Sequence, residues 1–128
     1  MPSLVSPFTV VARPATAPAG GPPLLGRTVF DKQFTGPLVA HGVVEMVYAA
    51  GADGPLHYVA LERIEGELEG RTGAFVLQHV GSMAGGAPSI ELTVVPESGT
   101  GDLVGLRGTG TIVHAPEGTR LELDYDLG

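Results

Sequence analysis

The last stretch of the chain, RLELDYDL from Arg120 to Leu127, alternates without a break. Leu121, Leu123, Tyr125 and Leu127 share one parity; Glu122, Asp124 and Asp126 share the other. Side chains alternate across a β-strand with a period of two, so the pattern is a strand with one dry and one wet face. A slip of one residue would bury three carboxylates, which is prohibitive without partners. The apolar set must therefore face a core.

A second stretch, YVALERIEGELEGRTGAFVLQHVG from Tyr58 to Gly81, reads as two strands joined by a polar, glycine-punctuated turn. Tyr58, Ala60, Glu62 and Ile64 fall on one face of the first strand, and Val59, Leu61 and Arg63 on the other. In the second strand Phe75, Leu77 and His79 oppose Val76, Gln78 and Val80. The same reading gives strands over Pro7–Arg13, Gly26–Phe34, Leu38–Ala49, Ser89–Val95 and, from near Gly108, the stretch ending at Ala115. Turn chemistry at Thr35-Gly36-Pro37, GADGP, AGGAP, PESGTGD and Pro116-Glu117-Gly118 separates them. No segment has the pattern of a three-turn helix. About eight strands at spacings of roughly 8 to 14 residues indicate an all-β fold. A closed antiparallel barrel is preferred over a sandwich because closure removes sheet edges and leaves room for one small ligand.

At 128 residues the chain is expected to be one domain, with a flexible Pro/Gly-rich loop at 14–23 (PATAPAGGPP). Twenty glycines and eleven prolines fit a fold of many turns. Seven basic residues against fourteen acidic ones give a net charge of −7, which argues against a nucleic-acid partner. No apolar run is long enough for a membrane span, and the N-terminus lacks a signal-peptide pattern. The absence of cysteine excludes disulfides and thiol chemistry, and is compatible with the cytoplasm, the expected location.

The runs ALERIEGELEGRTGAFVLQHVG (60–81), VVPESGTGDLVGLRGTG (94–110) and LELDYDL (121–127) resemble an uncharacterised family of small bacterial proteins with the allene oxide cyclase-like β-barrel fold. Glu45-Met46 and Phe34 to Gly36 share the likeness, which covers most of residues 28 to 127. The block GDLVGLRGTGTI…LDYDL is also similar to the last hairpin of the plant cyclases. The resemblance implies the barrel. In those enzymes a barrel cavity controls ring closure of an unstable allene oxide without a cofactor, with a carboxylate and a bound water assisting. None of their catalytic residues aligns one by one with this chain.

The candidate site follows from polar residues set in apolar strands. Glu62 shares a face with Tyr58 and Ile64; if inward, it is a buried carboxylate able to act as general acid or base. Its alternative is a structural ion pair with an arginine such as Arg71 or Arg107. His79 shares a face with Phe75 and Leu77 and is favoured over Gln78 as the inward residue. It is either a catalyst or a hydrogen-bonded core histidine. Glu45 is a third catalytic candidate, inward or outward according to whether a bulge near Gly42 flips the faces of its strand. Tyr58, Phe75, Leu77, Leu123 and Tyr125 are expected to contact a ligand. His41 and Glu45 share a face but stand about 13 Å apart along a strand, too far for one metal ion. No metal or cofactor is expected. The glycines of GTGDLVGLRGTG lack nucleotide-loop spacing, and Ser89, Ser98 and Thr100 lack a nucleophile elbow. The chain reads as a barrel that binds a small apolar or oxygenated molecule, with cofactor-free cyclisation or isomerisation as the sharpest chemistry. A carrier without chemistry and a structural subunit of a homo-oligomer are the rival readings.

Overall fold

The computed structural model describes residues 3–12, 24–51, 54–83 and 89–127. Eight strands, β1 (Ser3–Ala12), β2 (Leu24–Phe34), β3 (Leu38–Gly51), β4 (Gly54–Leu68), β5 (Arg71–Ser82), β6 (Ser89–Val94), β7 (Arg107–Ala115) and β8 (Gly118–Asp126), follow in chain order. Each pairs antiparallel with the next, and β1 pairs with β8, so the sheet closes into a barrel. The anticipated loop at 14–23 and the break at Ala84–Pro88 lie outside the described residues.

The final strand behaves as its alternation requires. Leu121, Leu123 and Tyr125 are buried, Leu127 is half-buried, and Asp124 and Asp126 are exposed. Strands β1 and β4 each begin four residues earlier than the pattern suggests, because Ser3–Ser6 pair with β8 and Gly54–His57 with the end of β3. The turn between β4 and β5 is Glu69-Gly70, with φ of 46° and 87°, the left-handed pair that a tight hairpin needs.

Two features close one end of the barrel. Leu38, Ile64, Leu68, Phe75, Leu103 and Leu106 are almost fully buried in a single cluster with Leu121 and Leu123. Leu103 and Leu106 come from the β6–β7 connection, which carries a single 3-10 turn at Gly101–Leu103. The sequence pattern places a turn at Pro96–Asp102 and a strand from near Gly108, as found; the residues between them, Leu103 and Leu106, plug the barrel. The connection also covers an edge. Strand β6 pairs with β5 only over Leu77–Ser82, leaving the first half of β5 open on that side. Ser98 accepts from Val76 N at 2.9 Å, Thr100 from Ala74 N at 3.1 Å, and Asp102 from Thr72 N at 3.2 Å. Unpaired backbone donors next to a core would otherwise cost free energy. Ser98 and Thr100 thus have a structural task in this connection.

Candidate functional site

The inner wall can be followed as rows running across β2 to β6. The outermost row is Gly26, Tyr48, Tyr58, Gly81 and Ile90; the next is Thr28, Met46, Ala60, His79 and Leu92; the third is Phe30, Val44, Glu62, Leu77 and Val94. Exposure falls along this series. Tyr48, Tyr58, Ile90, Thr28, Met46 and Phe30 are half-buried, whereas Glu62, Leu77, Val94 and the next row, Lys32, Gly42, Ile64 and Phe75, are buried. Inward side chains at this end of the barrel are thus less deeply buried than those toward the other.

The tyrosine rings lie along the wall. A Cβ built on Gly26 would fall 2.3 Å from the Tyr48 ring, and one on Gly81 would fall 2.0 Å from the Tyr58 ring. Each ring therefore occupies the space a side chain would take on the neighbouring strand. Burial raises the pKa of Tyr58, so its hydroxyl stays a donor at neutral pH.

Below this rim sit three buried titratable groups. Glu62 is 0% exposed, His79 3% and Lys32 4%. Glu62 Oε1 accepts from Lys32 Nζ at 3.2 Å and lies 2.8 Å from His79 Nε2. The geometry suits a hydrogen bond in which a Glu62 carboxylate accepts from a His79 Nε2–H. Lys32 reaches Glu62 across Gly42, its cross-strand neighbour on β3. Gly42 is glycine for a steric reason: a Cβ there would stand 2.2 Å from Glu62 Oε2. The Lys32 ammonium lies 4.3 Å from the Phe8 ring centre and about 6 Å from those of Phe30 and Phe34. Ring faces attract a cation, partly replacing lost hydration. Burial still lowers the Lys32 pKa, with the charge and hydrogen bond of Glu62 acting in the opposite direction. Glu62 Oε2 has no hydrogen-bond partner among the described residues.

The structure brings Glu62 and His79 together, as their strand faces required, and places Gln78 outside. The ion pair is with Lys32; Arg71 and Arg107 are exposed at strand starts. Glu45 is corrected: it points outward and is exposed. No bulge occurs near Gly42; the register shift in β3 falls between Ala49 and Ala50. Phe75, Leu77, Leu123 and Tyr125 face inward within the packed core, and Tyr58 stands at the rim. The Tyr125 hydroxyl bonds Glu69 at the closed end. Burial, then Glu69, raises the Tyr125 pKa. His41 pairs with Asp31 at 2.9 Å on the outer wall. No group of three or more His, Asp or Glu among the described residues could hold a metal ion. A shallow groove of about 440 Å³ between β7, β8 and β1 is lined by residues such as Thr109, Thr111, Glu122 and Asp124, and by none of the three cluster residues. Among the described residues no helix is long and apolar enough to cross a membrane.

Lys32 is the residue that sequence reasoning missed. Phe30, Lys32 and Phe34 share one parity, with Asp31 and Gln33 on the other. A lysine on the phenylalanine face was the available signal.

Fold and site together define an up-and-down, eight-stranded barrel whose inner wall carries an ion-paired lysine, glutamate and histidine. The family model described as "Protein of unknown function (DUF3224)" matches residues 4–127, and the chain belongs to that family. It is similar to a family member with unknown function from Shewanella oneidensis MR-1, whose crystal structure has a resolution of 1.84 Å. The two share 39% identity over 98% of this chain and 96% of that one, with a TM-score of 0.88. Comparison with curated proteins finds no match.

Proposed function

We propose that the barrel binds a small, largely apolar molecule bearing an oxygen function, and moves a proton on it without a cofactor. The observation that carries this reading is the state of Glu62. One carboxylate oxygen is held by two donors, while the other is buried without a partner among the described residues. Buried polar atoms are nearly always satisfied, and a catalytic role is one of the explanations for an exception. The unpartnered oxygen lies over Gly42, one row further from the rim, and turning the carboxyl group would present its lone pairs to a ligand's proton. Lys32 and His79 stabilise the carboxylate, and each can return a proton or polarise an oxygen of the ligand. The rim residues Tyr48, Tyr58, Phe30 and Met46 supply an apolar wall with hydroxyl donors, which suits folding a flexible substrate and excluding water. Ring closure or double-bond isomerisation is the reaction class this suits. The likeness of the last hairpin to the plant allene oxide cyclases points the same way.

The test needs no knowledge of the natural substrate. A medium-chain ketone, 2-undecanone, is incubated with the protein in deuterium oxide, and exchange at the carbons beside the carbonyl is followed by mass spectrometry. The wild type is expected to accelerate exchange, and Glu62→Gln to lower that acceleration about a hundredfold. Equal rates for the two proteins would remove Glu62 from any proton transfer. Binding without exchange would make the protein a carrier.

A further inference from the structure

The outer wall over β3, β4 and β5 is unusually apolar for a surface. Val47 is 47% exposed, Val59 47% and Leu61 53%. Val47 is paired with Val59, and Val59 with Val80, so they form one continuous row. The row ends in opposite charges: Arg27 on β2 beside Val47, and Glu91 on β6 beside Val80. In the neighbouring row Glu45 flanks Leu61 on one side and Gln78 on the other. Arg27, Glu45 and Glu91 are all exposed and have no ion-pair partner among the described residues. Contiguous exposed apolar area rimmed by charge marks a contact surface.

We infer that this face docks a second copy of the chain, about a two-fold axis running along β4. Such an axis lays each β3 over the β5 of the other copy, and each β2 over its β6. Val59 and Leu61 then meet their own counterparts on the axis. Val47 meets the partner's Val80, and Glu45 meets the amide of the partner's Gln78. Arg27 reaches the partner's Glu91 at both ends of the row. Barrel walls are convex, so contact concentrates on β4 and its neighbours, and only long side chains bridge the gap at β2 and β6. Arginine and glutamate are such side chains. Arg63, further along β4, is bonded to Glu65 at 3.2 Å and brings an ion pair to the axis in place of a bare charge. An axis across the strands would instead set Glu45 against valine and leave Arg27 and Glu91 unmatched. The strand-parallel arrangement alone makes the patch self-complementary, the requirement for a closed two-fold contact. This inference stands apart from the proposed chemistry, since every residue in it lies on the outer wall.

Sedimentation velocity at about 100 µM protein tests it. The wild type is expected at twice the chain mass of 13.1 kDa. Leu61→Arg places two like charges together on the axis and is expected to run at the mass of one chain, with its circular dichroism unchanged. Arg27→Glu is expected to weaken association about tenfold, and adding Glu91→Arg to restore it. A wild type that stays at single-chain mass, a Leu61→Arg variant that still pairs, or a double charge swap that fails to restore association would overturn the inference.

Discussion

Replacing Lys32 by methionine while Glu62 remains would leave a carboxylate in the barrel wall with only His79 beside it. The pair is separated by 3.2 Å, and its side chains are 5% and 0% exposed. At an effective dielectric constant near 20, that separation corresponds to about 5 kcal/mol of attraction. The attraction offsets a desolvation cost of several kcal/mol for each ion, so the intact pair contributes little net stability. Removing one member leaves the other's cost unmatched. Lys32→Met and Glu62→Gln should therefore each cost about 3–5 kcal/mol. That is a large share of the roughly 5–15 kcal/mol typical of a domain. The double variant should cost at most about 2 kcal/mol, because no charge remains to be desolvated. Methionine fits among Phe8, Phe30 and Phe34, and the glutamine side chain that replaces Glu62 keeps an oxygen to accept from His79. The coupling between the two positions should thus exceed about 3 kcal/mol. Urea unfolding followed by far-ultraviolet circular dichroism measures all three, since the chain has no tryptophan to report fluorescence. Additive losses, or single losses below about 1 kcal/mol, would refute the buried pair.

Gly42→Ala should displace the Glu62 carboxylate, because the new Cβ meets Oε2 at 2.2 Å; a loss of about 1–3 kcal/mol by the same unfolding assay is expected. Leu123→Ala should cost about 2–5 kcal/mol as a buried leucine, and Asp124→Ala under about 0.5 kcal/mol as a surface site; reversal of that order would overturn the inside-out assignment of β8. Tyr125 binds its proton more tightly folded than unfolded, so its contribution is intact below the unfolded tyrosine pKa and lost as pH rises through the folded one. Stability above about pH 10 should accordingly fall faster in the wild type than in Tyr125→Phe, as thermal melts across alkaline pH would register.

Where one face of a strand is apolar and the other polar, the sequence was a sufficient guide. That holds for β8, and for Glu62 and His79, each a polar residue on an otherwise apolar parity. The logic fails where both faces are apolar. In VVEMV the valines Val43 and Val47 point outward with Glu45, and Val47 belongs to the exposed patch, so parity could not say whether Glu45 points in or out. Gly42 invited a bulge reading because its true reason, the Glu62 carboxylate, comes from another strand. Lys32 sits between Asp31 and Gln33, a local context typical of a wet strand, and its partner is thirty positions away. Pairings of that kind are set by barrel closure, which local pattern does not encode. The same is true of Leu103 and Leu106, whose burial depends on where the β6–β7 connection crosses the barrel end.

The proposed ligand sits above the Lys32–Glu62–His79 cluster, on the side where inward residues are only half-buried, and not among the packed residues below it. Carbon-13 methyl spectra of the protein titrated with 2-undecanone test this directly. Met46 and Ala60, in the same inner row as His79, should shift in a saturable way, while Ile64, Leu68 and Leu103 at the closed end should not. Shifts confined to outward methyls such as Val47, Val59 and Leu61, or none at all at Met46 and Ala60, would contradict it.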